Sequence, residues 1–141
     1  MIQTVLAPHA PYSVSDKSFQ AIKAMADELN LPIHIHLHET VGEIDDAIEK
    51  QGERPLSRLN NLDLLSNKFM GVHLTQLKNE EISLLAQKNV SVIHCPESNL
   101  KLASGVCPVP KLLNAGVNVA LGTDSAASNN DLDMFYKKSD E

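Results

Sequence analysis

Six histidines are spread through the chain, and every one of them stands within or at the end of a short apolar run. His9 follows Val5-Leu6-Ala7-Pro8, His34, His36 and His38 alternate through residues 33–38, His73 follows Gly71-Val72, and His94 follows Val92-Ile93. A fifth run, residues 117–121, ends instead in Gly122-Thr123-Asp124. Imidazole nitrogen and carboxylate oxygen together suit zinc or ferrous iron in sites that keep an open position for water. A lone histidine at a strand end is more often a hydrogen-bonded structural residue than a ligand. Five runs out of five ending in His or Asp describe a single site.

The period of two through Ile33–Leu37 sends His34, His36 and His38 to one face and Ile33, Ile35 and Leu37 to the other. Of the three histidines, His36 is the better ligand, because Glu39 follows three residues later where a loop can turn a carboxylate back into the same cavity. His34 lies deeper and reads as a barrel-core residue, and His38 as lining the mouth. Asp124 reads either as a carboxylate ligand or as the cap of the polar turn that contains Ser125, Ser128, Asn129 and Asn130. His94 and Cys95 are neighbours in an extended run, point to opposite faces, and cannot serve as a thiol and its base. The zinc pattern of cytidine deaminases is absent, since there is no HxE or PCxxC and Cys95-Pro96 runs in the reverse order.

Positioning such residues requires a parallel sheet. Apolar runs at residues 4–7, 33–37, 69–72, 91–93 and 117–121 alternate with segments of helical period, the pattern of βα units. In such folds the chemistry collects at the C-terminal edge of the strands. Phe19, Ile22, Met25, Ala26 and Leu29 mark a helix with Ser15 as cap and Pro32 as stop. Thr40-Val41-Gly42-Glu43 has the form of a capping box ahead of Ile44, Ala47 and Ile48. Pro55 suits a first helical position before Leu56, Leu59, Leu62 and Leu65. Glu80 and Glu81 sit in the first turn of a helix carrying Ile82, Leu85 and Ala86. The last helix is expected over residues 110–115, with Gly116 past its end.

At 141 residues and 43% hydrophobic the chain is the size of one domain, residues 1–141, with a core of its own. The net charge of −6, with Lys and Arg dispersed, argues against a nucleic-acid partner. Neither a signal peptide nor an apolar stretch long enough for a membrane span is visible, so a cytoplasmic protein with no membrane partner is expected. Cys95 and Cys107 form no CxxC and are expected as buried free thiols.

Five strings then carry a resemblance: LAPHAPYSVS at 6–15, HLHET at 36–40, VHLTQL at 72–77, HCPESNLKLASG at 94–105 and LGTDSAASNNDLDMF at 121–135. Together, and in this order, they resemble the 5-methylthioadenosine/S-adenosylhomocysteine deaminase family of the amidohydrolase superfamily. The resemblance implies an α/β fold, part of a (β/α)8 TIM-type barrel, with about five parallel strands corresponding to barrel strands 4 to 8. It implies a small-molecule substrate and one Zn²⁺, ferrous iron being the other ion that suits the donors. His36 and Asp124 would be metal ligands from the fifth and eighth strands. His73 would orient the hydrolytic water or the developing oxyanion, His9 would bind substrate, and Glu39 would face the purine ring and act in proton transfer with Asp124. Ser125 stands where many relatives have Gly. The HxH pair of the family's first strand is missing, and family enzymes are about three times this length, so the chain is expected to be a fragment. On that reading the runs near Thr4 and Val117 become sheet edges that invite self-association, a homo-oligomer included. Triazine, guanine or pterin substrates, and an inactive barrel fragment, are the competing readings.

Overall fold

The computed structural model describes residues 2–130 and 132–134. Asp131 and Phe135 of the last motif, and residues 136–141, lie outside the described residues. Four strands form one parallel sheet in sequential order: β1 (Ile33–Leu37), β2 (Phe69–His73), β3 (Ser91–His94) and β4 (Asn118–Leu121). The helices that return the chain are α1 (Asp16–Leu29), α2 (Val41–Gln51), α3 (Pro55–Asn61), α4 (Asn79–Gln87), α5 (Pro96–Lys101) and α6 (Val109–Asn114). Among the described residues no helix is long and apolar enough to cross a membrane. This is the α/β architecture expected, with one strand fewer.

The first apolar run lies alongside β1, but it makes a single parallel bridge, Leu6 to Ile33. The cause is Pro8. Leu6 N–H donates to Pro32 O and His34 N–H donates to Leu6 O, each at 2.9 Å, as a parallel ladder requires. The next donor in that ladder is residue 8, which has no N–H. The ladder therefore breaks, and His36 N–H bonds to His9 O at 3.2 Å instead.

Each helix forms where local signals put it. Ser15 caps α1 by accepting from Ser18 N–H at 3.2 Å, and the helix ends on left-handed Asn30, two residues before Pro32. Pro55 opens α3, and Gly116 follows α6 with φ 81°. Helix α5 was not expected from the sequence, although Pro96 at its first turn is a start signal. Ile33, Ile35 and Leu37, with Phe69 and Val92, pack against Phe19 of α1, Leu56 and Leu59 of α3, and Leu85 of α4. Cys95 and Cys107 are buried and form no disulfide, as expected. One layer of helices thus covers one face of the sheet, and the C-terminal strand ends lie in register beside one another.

At the opposite, N-terminal edge a cavity of about 290 Å³ is lined by Lys23, Asp27, Asn30, Asp63 and Lys68. Lys23 is ion-paired with Asp27 at 2.6 Å and Lys68 donates hydrogen bonds to Asn30, as befits the edge that serves stability.

Candidate metal and catalytic site

Four residues at or just beyond strand ends take left-handed backbone: His38 (φ 52°), His73 (φ 74°), Leu74 (φ 48°) and Asp124 (φ 60°). Such a conformation costs about 1–2 kcal/mol for a residue with a side chain, and clusters of it belong to functional sites. Its effect here is to exchange two histidines between faces. Strand alternation would put His38 on the His36 face, but its ring is fully buried in the helical layer, where Nε2 accepts from Leu56 N–H at 3.1 Å. This corrects the expectation that His38 lines the mouth. It is a cap for α3, whose own N-cap residue Arg54 makes no side-chain cap bond. Burial drives the His38 pKa down to about 4, so the ring is neutral. Conversely, His73 pairs with Leu37 in register and by alternation would face the helices. Its left-handed backbone turns it to the other side, where it stacks on His36 with ring centroids 5.4 Å apart.

One ligand atom from each of His36, His73 and Asp124 lies within 4.8 Å of the others. Among the described residues this is the group of three His, Cys, Asp or Glu side chains spaced to share an ion. His36 Nδ1–H donates to His9 O at 2.7 Å, which leaves its Nε2 lone pair free. His73 Nδ1 lies 2.8 Å from Asn99 Oδ1, and its Nε2 faces Glu39 Oε2 at 3.7 Å and Asp124 Oδ2 at 3.9 Å. Tetrahedral zinc with bonds of about 2.0–2.1 Å needs ligand atoms roughly 3.3 Å apart, so the donor set fits such an ion after a small inward movement.

Asp124 realises both readings of its sequence position. Its Oδ2 accepts from Ser98 Oγ at 2.6 Å and from Ser128 Oγ at 2.8 Å, the second bond closing the polar turn. Partial burial raises its pKa, but the two hydroxyls, the Ser125 backbone and nearby His73 outweigh that, and the carboxyl titrates below its ordinary value.

Glu39 is held at three points by three different segments. Its N–H donates to Glu43 Oε2 at 2.7 Å, its carbonyl accepts from Thr75 Oγ1 at 2.6 Å, and its Oε1 accepts from Ser104 Oγ at 3.1 Å. The capping box is therefore only half formed as expected. Thr40 accepts from Glu43 N–H at 3.1 Å, while the Glu43 carboxylate reaches past Thr40 to the N–H groups of His38 and Glu39. Gly105 (φ 126°) closes this clamp, since a Cβ there would come within 2.5 Å of the Gln76 amide.

His9 stands exposed at the rim, 5.2 Å from His36 between ring centroids, with Nδ1 3.2 Å from Ser13 Oγ. His34 is half-buried below His36, and burial together with the neighbouring imidazole lowers its pKa. His94 is buried outside the group of three. The sequence reading missed Ser98, Asn99, Ser104 and Glu43 as site residues. The strings at 94–105 and 36–40 contain or adjoin them, but nothing periodic sets them apart.

Residues 1–137 match the model of the Amidohydrolase family. The chain belongs to the amidohydrolase family. Like this segment, a 5-methylthioadenosine/S-adenosylhomocysteine deaminase from Teredinibacter turnerae is 55% identical over 135 residues, 96% of this chain and 30% of the relative. Among solved structures, an adenosine deaminase from Xanthomonas campestris with bound zinc superposes with a TM-score of 0.93 at 54% identity, over 94% of this chain and 30% of that one. An atrazine chlorohydrolase from Arthrobacter aurescens complexed with zinc gives 0.84 at 25% identity, over 90% of this chain and 28% of that one. The amidohydrolase segment thus spans about 30% of the length of the curated relatives it matches. A metal cofactor is supported both by these zinc-bound neighbours and by the donors of this chain.

Proposed function

We propose that the chain supplies part of the site of a metal-dependent hydrolytic deaminase acting on aminopurine nucleosides, 5-methylthioadenosine and S-adenosylhomocysteine foremost. The observation that carries this reading is the convergence of His36, His73 and Asp124 beside a clamped Glu39. The purine nucleoside is favoured over a triazine because identity to the deaminases is about twice that to the triazine enzyme.

His36 and Asp124 would hold one Zn²⁺, and the Nε2 of His73 is turned toward the same donors. When bound, the ion makes water acidic enough to act as a nucleophile near pH 7. The residues of this chain do the rest. His9 binds substrate at the rim. Asp124 takes one proton from the attacking water and later delivers it to the leaving amine, which departs as ammonia. A proton carried by Glu39 goes to the ring nitrogen beside the attacked carbon, relieving the charge that builds there. The hydroxyl proton of the adduct then returns to Glu39, leaving an oxo-purine. The Ser104 bond to Oε1 leaves Oε2 as the oxygen of Glu39 that faces His73.

The test is a graft in which this segment replaces the matched 135 residues of the Teredinibacter turnerae relative. The expected result is a folded enzyme that releases ammonia from 5-methylthioadenosine. A folded graft that retains zinc and turns over no aminopurine nucleoside would sink the reading.

A further inference from the structure

Helix α5 is built the wrong way round for a structural helix. Its buried side chains are Ser98 and Asn99, which are 0% and 1% exposed, while Leu100 and the C-capping Leu102 are 68% and 51% exposed. Burying polar groups in place of leucines costs stability unless each polar group has a partner. Ser98 donates to Asp124 and Asn99 Oδ1 faces His73, both in the group of three, while Asn99 Nδ2 is buried with no hydrogen-bond partner among the described residues. Two consecutive residues of one short helix therefore grip two of the three candidate ligands.

We propose that Asn99 is a positioning residue that fixes the tautomer of His73. Its Oδ1 lies 2.8 Å from His73 Nδ1, and an amide oxygen can only accept. The His73 proton therefore sits on Nδ1, and Nε2 presents a lone pair toward Glu39 and Asp124. Histidine free in water prefers the opposite tautomer, with the proton on Nε2, so the preference is imposed by the protein. His36 is held in the same sense by His9 O. A carbonyl or carboxylate on the far nitrogen of a ligating imidazole is the usual means of orienting it. The consequence for the reaction is specific. His73 orients the attacking water by accepting a hydrogen bond from it, or shares the ion, and does not donate to the developing oxyanion.

This inference rests on the site reading above for its meaning, but its test does not need turnover. The full chain is labelled with ¹⁵N-histidine, stripped of metal with a chelator, and examined by magic-angle-spinning ¹⁵N spectroscopy in alkaline buffer, which requires no monomer. The His73 signals are those lost in His73→Gln, and the other five histidines report the fold. The expected spectrum shows His73 protonated on Nδ1 and bare on Nε2. Asn99→Asp, which keeps an acceptor, retains that pattern, and Asn99→Ala reverts to the Nε2–H form. In the grafted enzyme, zinc retention after gel filtration falls by about 10–100-fold in Asn99→Ala, the usual cost of losing a partner behind a ligand. An Nε2–H His73 in the wild-type chain, or an unchanged tautomer in folded Asn99→Ala, overturns the inference. Should Asn99→Ala fail to fold, the wild-type spectrum decides alone. Nδ1–H in the chain together with a folded graft that retains no zinc upholds the inference and counts against the metal-site reading, whereas Nε2–H in the chain together with a graft that retains zinc does the reverse.

Discussion

In the grafted enzyme, Asp124→Asn is expected to lower kcat/KM on 5-methylthioadenosine by about 10²–10⁴-fold, the range for removing a general acid or base, with the fold intact. The fold survives because the Asn oxygen can still accept from Ser98 and Ser128, the two hydroxyls that hold Asp124 Oδ2. Turnover does not survive, because an amide cannot take a proton from water at neutral pH. Cys95→Ser is the matched control: its sulfur is buried beside Gly122, in the same strand-end region, but takes no part in the proposed chemistry. It is expected to leave most of the rate. Equal losses in the two variants would argue for a thiol mechanism and against the roles given to Asp124.

The second large effect is expected at Glu39. Glu39→Gln keeps the Ser104, Thr75 and Glu43 contacts, since an amide oxygen can accept from Ser104 and the backbone bonds are untouched. Zinc content should be unchanged, and kcat should fall by about 10²–10⁴-fold with little change in KM, because the group supplies a proton in the transition state. Loss of zinc together with rate would mean that Glu39 is a ligand and that the division of labour with His36 and Asp124 is wrong.

The candidate ligands were legible because they obey a rule of position. His36, His73 and Asp124 each lie near the C-terminal end of an apolar run or within three residues past it, and in a parallel sheet those places converge. Most helix starts and the last helix stop were legible from Ser15, Thr40, Pro55 and Gly116, each of which acts within a few residues of itself. The misses share one physical origin, which is backbone departing from its regular period. Alternation placed His38 on the wrong face because that residue does not stay extended, and no local signal announces φ above zero at a histidine. Pro8 removed one ladder donor and reduced an expected strand to a bridge. Helix α5 escaped notice because its inward residues are Ser98 and Asn99, and polar residues aimed inward leave no apolar stripe to read. The same holds for Glu43, whose carboxylate serves the Glu39 loop and not the helix end it seemed to cap.

The most direct test of the shared site is anomalous diffraction at the zinc edge from crystals of the grafted enzyme. The expected result is one peak bonded to His36 and Asp124, with His73 turned toward it and Glu39 beside it. A peak elsewhere, or a fully active enzyme with no peak among His36, His73 and Asp124, would contradict the account.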